Sequence, residues 1–340
     1  MLLGGWGAVA ASIAHATGAP FKIERATSLS GGCINRAFHV QGAAREFFIK
    51  RNAPSALPMF EAEAAGLREI TATHTVLVPL SICTGADSSQ AWLALEYLPL
   101  SSYGPRAAAA LGERLAAMHR VTRERFGWTR DNTIGSTPQV NEQLSDWSAF
   151  WGQHRLGHQL DVAAQKGYRP ELEPRATQLL ERLPKLFTGY RPAASLLHGD
   201  LWAGNAAATG DCEPVLFDPA VYYGDREADV AMTTLFGRFP RQFYVAYEGV
   251  WPLEPGHRER RDLYNLYHVL NHLNLFGGSY LGQAHDGEAA LWQGLRTVRP
   301  KLLDSQDPLL PPLRLDCLAA CGTCRQERSI RSTFPKCNHC

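Results

Sequence analysis

Two short apolar runs, Ser195 to Leu197 and Pro214 to Phe217, each end on polar residues. After the first the chain reads His198-Gly199-Asp200-Leu201-Trp202-Ala203-Gly204-Asn205, and after the second Asp218-Pro219. Apolar runs of this length are the form taken by buried strands that deliver side chains into a site. Taken singly, Asp200 and Asn205 are also what turns use, and Asp218 is what a helix cap uses. An Asp and an Asn five apart, followed by a second Asp after an apolar strand, is an order that turns and caps do not need. The fold therefore has to bring the ends of two buried strands together.

The spacing matches the kinase catalytic loop H-R-D-x-x-x-x-N and the metal-binding Asp beyond it, with Gly199 standing where the Arg would be. Transfer of a γ-phosphoryl group needs a carboxylate that orients the attacking hydroxyl and takes its proton, the role expected of Asp200. It also needs oxygen ligands for Mg²⁺, a hard cation that keeps waters and bridges phosphates; Asn205 and Asp218 are expected to supply them.

An upstream half appears in the matching order. Ser28-Leu29-Ser30-Gly31-Gly32-Cys33-Ile34-Asn35 falls between two predicted strands, where Gly31, Gly32, Cys33 and Asn35 would let backbone N–H groups approach phosphate oxygens. Alone, such a glycine pair is also an ordinary hairpin. Lys50 ends the strand Phe47-Phe48-Ile49, and Glu63 lies on the helix that follows, as the phosphate-holding lysine and its glutamate do in kinases. Singly, each would pass for a surface charge. Glu61 competes with Glu63 for the pairing, and Glu63 is preferred because Phe60, Ala64 and Leu67 share its side of the helix. Leu95-Glu96-Tyr97-Leu98 reaches the predicted lobe junction, where backbone groups of Glu96 and Leu98 would bond an adenine ring. No Walker loop, dinucleotide G-x-G-x-x-G, H-E-x-x-H or G-x-S-x-G is present.

Around these residues the pattern predicts an α+β, bilobal, protein-kinase-like fold. Residues 1–98 read as a nucleotide-binding lobe: strands over 21–26, 37–40, 46–50, 76–82 and 91–97 form a small antiparallel sheet with one helix over 59–71. Leu3, Trp6, Ala10 and Ile13 recur at helical spacing, so the first residues are expected to be a short helix packed on that lobe and part of the mature protein rather than a signal sequence. Residues 99–290 read as a larger α-rich catalytic and substrate lobe, with helices on Leu111, Leu115 and Met118 and over 146–165 and 175–187. Residues 291–340 are set apart by Pro300, Pro308, Pro311, Pro312 and a cysteine cluster. With 34 Lys and Arg against 33 Asp and Glu the formal charge is +1, so neither nucleic acid nor an anionic membrane is an expected partner.

The runs Leu196 to Asn205 and Phe217 to Asp229 resemble those of the fructosamine (ketosamine) kinase family, which is related to aminoglycoside phosphotransferases. The resemblance continues through Gly31 to Asn35, Met59 to Glu63, Phe126-Gly127-Trp128, Asn132 to Gly135, Gln139-Val140-Asn141, Asp146-Trp147 and Leu263 to Gly277, and covers about Trp6 to Ala284. It implies ATP- and Mg²⁺-dependent phosphorylation of a ketoamine, free or on a glycated protein, at the sugar 3-hydroxyl. The product is prone to eliminate and release the amine, so the implied role is deglycation, or protein repair. By similarity Asp200 is the base, Asn205 and Asp218 hold metal, Lys50 and Glu63 anchor phosphate, and Trp202 stacks on the sugar, with core packing as its alternative. Asp225, Arg226, Glu227 and Asp229 are expected to form an ion-pair and cap cluster that fixes the metal loop. A kinase for another hydroxylated small molecule, such as an aminoglycoside, and a non-catalytic nucleotide-binding scaffold are the competing readings. Monomer and homodimer stay open.

Of eight cysteines, only Cys33, Cys83 and Cys212 precede residue 317, which excludes a disulfide framework through the fold and makes the cytoplasm the expected compartment. Cys33, beside backbone amides that would stabilise a thiolate, is either a redox-sensitive position or simply a small loop residue. Cys321-Gly-Thr-Cys324 and Cys337-Asn-His-Cys340 have the spacing of a zinc site. The segment is Arg-rich and poor in large apolar residues, so a disordered extension is the preferred expectation.

Overall fold

The computed structural model describes residues 5–30, 34–42, 45–172 and 175–297. Gly31, Gly32, Cys33 and the tail cysteines Cys321, Cys324, Cys337 and Cys340 lie outside the described residues.

The first lobe comprises α1 (Gly7–Thr17), β1 (Arg25–Leu29), β2 (Arg36–Gly42), β3 (Arg45–Asn52), α2 (Leu57–Thr71), β4 (Ser81–Ala86) and β5 (Ala91–Glu96). Its five strands form one antiparallel sheet in the order β1-β2-β3-β5-β4. Side chains alternate across the pleat. Phe38, Val40, Phe47, Ile49, Trp92 and Ala94 face outward, and α1 covers them with Trp6, Val9 and Ile13 to make a small core of its own. The Arg51 guanidinium closes one end, 4.3 Å from the Trp6 ring centre. Leu93 and Leu95 take the other face and pack with Phe60, Ala64, Leu67 and Ile70 of α2. Lys50, next to Ile49, is thereby turned inward.

Two predicted strands start later than expected. Phe21 and Ile23 are buried, but pairing along β1 begins at Arg25. Val76 and Val78 are also buried, yet Pro79 cannot donate to a ladder, and β4 begins at Ser81.

The second lobe follows with α3 (Pro105–His119), β6 (Thr122–Arg123), β7 (Asn132–Ile134), β8 (Thr137–Gln139), α4 (Trp147–Trp151), α5 (His158–Gln165), α6 (Arg169–Leu172) and α7 (Arg175–Arg182). It continues with β9 (Ala194–Leu197), β10 (Ala206–Ala208), β11 (Pro214–Leu216), β12 (Tyr222–Gly224), α8 (Glu227–Met232), α9 (Arg241–Val250), α10 (His257–Phe276) and α11 (Leu281–Thr297). Proline opens α3, where its missing N–H costs nothing, and the Asp146 carboxylate caps α4 by accepting from Ala149 N–H at 2.7 Å. The helix predicted over 146–165 is α4 and α5 joined by a π-helical stretch, Gly152–Gly157. That over 175–187 is α7 followed by a 3-10 turn, Leu183–Phe187, where Pro184 withholds a donor.

β9 is paired with β12 on one side and β6 on the other, and β10 with β11. The apolar runs ending at Leu197 and Phe217 are therefore buried strands in different sheets, and their ends meet where His198 Nε2 donates to Phe217 O at 3.0 Å. Among the described residues no helix is long and apolar enough to cross a membrane.

Candidate active site

Lys50 is the meeting point of the two lobes. Its Nζ donates to Glu63 Oε1 at 2.6 Å and to Asp218 Oδ1 at 2.7 Å. Lys50 is buried and the Glu63 side chain is only 11 % exposed, whereas the Asp218 side chain is 45 % exposed. Burial opposes the ammonium charge, but the pull of Asp218 and Glu63 outweighs it, so the Lys50 pKa lies above its ordinary value. Glu61 is turned elsewhere: Arg130 Nη1 donates to its carbonyl at 3.4 Å and Nη2 lies 3.9 Å from its carboxylate.

Asp218 has a left-handed backbone, φ 58°, which few non-glycine residues adopt. Phe217 N–H donates to Asn205 O at 3.2 Å, Phe217 O accepts from His198 Nε2 at 3.0 Å, and Ala220 N–H donates to His198 O at 2.8 Å. The segments 198–205 and 217–220 thus fix each other. Asp200 N–H donates to His198 Nδ1 at 3.3 Å, which settles that ring's tautomer with its proton on Nε2. The Arg of the kinase pattern has no room at position 199: Gly199 has φ 82°, and a Cβ there would lie 2.1 Å from Ala220 O.

Asn205 Nδ2 donates to Asp200 O at 2.8 Å and Asp200 Oδ2 at 3.1 Å. Its amide nitrogen is thereby engaged, and oxygen is what the side chain offers to a cation. With the Asp218 carboxylate this makes a hard, oxygen-only donor pair, which fits Mg²⁺ held chiefly by phosphates and water. Burial, then the nearby charge of Asp218, pushes the Asp200 carboxyl up to about 7.

The nucleotide side is less complete. Asn35 Oδ1 accepts from Asn52 Nδ2 at 2.7 Å, and the same nitrogen donates to Ile34 O at 3.1 Å, so the Asn35 side chain braces the loop exit on β3. Glu96 exchanges bonds with Leu80, its N–H donating to Leu80 O at 2.9 Å and its Oε2 accepting from Leu80 N–H at 3.2 Å. Its N–H is therefore taken up within the protein and is not offered to an adenine. Leu98 stands half-buried two residues on.

Trp202 is half-buried, not a core residue. Its ring lies over Gly204, where a Cβ would meet indole atoms at 2.2 to 2.6 Å. It heads an aromatic row: Phe236 edge-on at 6.4 Å, His272 at 4.2 Å from Phe236, then Phe276 and Tyr280 at 5.5 and 5.3 Å from His272.

The polar frame differs from the sequence expectation. Of the cluster expected to fix the metal loop, Asp229 instead holds the loop of Asp200, its two oxygens accepting from His198 N–H at 2.7 Å and Gly199 N–H at 2.9 Å. His119 Nε2 stands 3.2 Å from the same carboxylate, and its Nδ1 is 2.8 Å from the Tyr247 hydroxyl. Burial opposes the Asp229 charge, but His119 and these donors more than compensate, leaving its pKa low. Arg226 donates to Trp251 O and Pro252 O, Glu227 pairs with Arg260 at 2.7 and 2.9 Å, and Asp225 accepts from Tyr190 and Tyr264. These brace helices, not the metal loop.

That loop is held by residues to which the sequence assigned no role. Asn132 Nδ2 donates to Val221 O at 2.8 Å, and Gln139 Nε2 to Ala220 O at 3.2 Å. Asn141 Nδ2 donates to Asn132 Oδ1, and Arg155 reaches Asn141 Oδ1 at 2.6 Å and Val140 O at 2.7 Å, its guanidinium 4.1 Å from the Tyr222 ring centre. The signal was present, since Asn132, Gln139 and Asn141 sit in runs too polar for the buried positions they occupy.

A sequence model of the fructosamine kinase family matches residues 5–291. The chain is 43% identical over 280 residues to a probable ketoamine kinase of Synechocystis sp., spanning 82% of this chain and 94% of that one. It is 42% identical to a chloroplastic protein-ribulosamine 3-kinase of Arabidopsis thaliana, over 77% of this chain and 81% of the other. A crystal structure of a fructosamine-3-kinase candidate from Thermobifida fusca superposes with a TM-score of 0.73 at 33% identity, covering 84% of this chain and 98% of that one. The aminoglycoside phosphotransferase APH(4)-Ia, at 15% identity and a TM-score of 0.57, shares the protein-kinase-like fold alone. With 287 of 340 residues inside the family match and a kinase cleft built from both lobes, the chain belongs to the fructosamine kinase family.

Proposed function

We propose that the chain transfers the γ-phosphoryl group of ATP to the 3-hydroxyl of a ketoamine of the fructosamine or ribulosamine type, free or on a glycated protein. The observation that carries this is the Lys50 ammonium held between Glu63 and Asp218, with Asp200 and Asn205 bonded to each other beside it. Such a cation meets the charge of an α/β-phosphate, and the relatives named above act on ketoamines.

Lys50 would anchor the nucleotide phosphates, and Asp200 would orient the sugar hydroxyl and accept its proton. The sugar oxygen forms its bond to phosphorus as the bond from the γ-phosphorus to the β–γ bridging oxygen breaks, and ADP leaves. Asn205 and Asp218 would hold Mg²⁺, which supplies charge neutralisation at the phosphates when bound. Trp202 offers an aromatic face to the sugar. A ketoamine 3-phosphate then loses phosphate by elimination, and water hydrolyses the resulting imine to free the amine, which makes the overall outcome a deglycation.

The test compares phosphorylation of fructosamine, ribulosamine and erythrulosamine substrates by the wild type and by Asp200→Asn. The variant is expected to lose at least about 100-fold in kcat. Equal activity of the two proteins overturns the mechanism.

A further inference from the structure

Glu63 can reach Lys50 only if α2 stays where it is, and several contacts tie that helix to the second lobe. A Cβ on Gly66 would stand 3.0 Å from Val221 Cγ2, so the helix backbone rests on the segment that follows Asp218. Near the start of α2, Arg130 donates to the Glu61 carbonyl. Further along, about 9 Å beyond Glu63 at 1.5 Å per residue, Glu69 Oε1 accepts from the Tyr223 hydroxyl at 2.7 Å.

Tyr223 is a rigid mount. Its N–H donates to Gly127 O and its carbonyl accepts from Gly127 N–H, both at 2.8 Å. It lies five residues after Asp218, on the strand that the metal loop enters. Burial, then the bond to Glu69, pushes its hydroxyl up to about 12, so it remains a donor at neutral pH. Arg123 Nη2 stands 3.5 Å from the same Glu69 oxygen, with its guanidinium 5.4 Å from the Tyr223 ring centre. One side of this group opens on a cavity of about 750 Å³ lined by Glu69, Arg123, Trp128 and Tyr223 among others. Removing the hydroxyl therefore leaves no new void in a packed core.

We propose that Glu69 and Tyr223 are a positioning pair, a latch that registers the helix of Glu63 against the strand that follows Asp218 so that both carboxylates meet Lys50 together. This rests on Lys50 being the phosphate anchor. Neither residue bonds to Lys50, Glu63, Asp200 or Asp218; Glu69 accepts from Tyr223 instead. Without the latch, α2 keeps its packing through Phe60, Leu67 and Ile70 and its contacts at Gly66 and Glu61, but loses the hydrogen bond that fixes its far end on the strand following Asp218.

The experiment measures MgADP affinity by calorimetry, KM for ATP and for ketoamine, and the thermal midpoint. Tyr223→Phe and Glu69→Ala are expected to weaken MgADP and raise KM for ATP about 3–10-fold, with the ketoamine KM within twofold and the thermal midpoint nearly unchanged. Glu69→Gln, which keeps an acceptor, is expected to restore most of the affinity. In a Glu63→Gln background Tyr223→Phe should add nothing, since the latch acts through Glu63. Unchanged nucleotide affinity in both variants overturns the proposal, as does a full additional loss in the Glu63→Gln background, or a lowered midpoint with both KM values intact. Lys50→Met separates the two ideas. If it binds MgADP like wild type, the phosphate-anchor reading falls and takes the latch with it; if it loses affinity while the latch variants do not, only the latch falls.

Discussion

A Cβ placed on Gly199 would sit 2.1 Å from the carbonyl oxygen of Ala220, so the loop of Asp200 and the loop of Asp218 touch backbone to backbone at that point. Gly199→Ala must displace Ala220 and also force alanine to φ 82°. The left-handed backbone alone costs about 1–3 kcal/mol. The expected result is a loss of kcat exceeding 100-fold together with lower stability to urea. Near-normal kcat in a folded Gly199→Ala protein would refute the close approach.

Asp229 serves two buried N–H groups with its two oxygens. Asp229→Asn keeps one acceptor and sets an NH₂ against the other donor, leaving a buried amide unsatisfied at about 1–3 kcal/mol. Stability in urea is expected to fall by that amount, and kcat with it, while KM for ATP changes little because Lys50, Glu63 and Asp218 are untouched. An increase in KM for ATP as large as the loss in kcat would contradict this division.

His268 is buried on α10 with Nδ1 lacking a hydrogen-bond partner, and burial, then His272, pushes its pKa down to about 3. The unfolded chain binds this proton below about pH 6.5, the folded chain only near 3, so stability is full above 6.5 and declines as the pH falls. Between pH 6.5 and 5 the loss from this residue is about 2 kcal/mol, at 1.36 kcal/mol per unit. Urea titrations at pH 7 and 5 should show that decline in the wild type and a smaller one in His268→Gln. Identical declines in the two proteins would remove His268 from the account.

Arg155 is fully buried, with three acceptors and two aromatic faces around it. Lysine cannot reproduce the planar fork or the stacking. Arg155→Lys is expected to cost about 2–4 kcal/mol, read from chemical denaturation, and to lower the affinity for nucleotide through the Asn141–Asn132–Val221 chain.

Trp202 should divide the two substrates. Trp202→Ala is expected to raise the ketoamine KM about 3–10-fold, on the order of a lost stacking contact, and to leave KM for ATP unchanged. The opposite pattern would place the indole on the nucleotide side.

What the sequence disclosed followed local periodicity. Phe47-Phe48-Ile49-Lys50 alternates with period two, so burying Phe47 and Ile49 under α1 turned Lys50 inward. The helix face shared with Phe60, Ala64 and Leu67 separated Glu63 from Glu61 by the same logic. What stayed hidden depends on partners far along the chain. Asp229 meets amides thirty residues earlier, Gln139 meets a carbonyl eighty-one residues later, and nothing in their immediate neighbours records either contact. β6, β7, β8 and β12 are two or three residues long, too short for alternation to show. Proline at 79 delays the start of β4 to Ser81, and the strand runs on to Ala86, past the apolar run that predicts it over 76–82.

The unusual backbone at Asp218 has one more implication. It is held by hydrogen bonds within the protein, so the chain shapes this corner while it folds, and under the proposed function ATP would find a finished seat. Docking then demands little rearrangement at that end of the cleft, and crystals grown with and without nucleotide should trace the same path through residues 217–220.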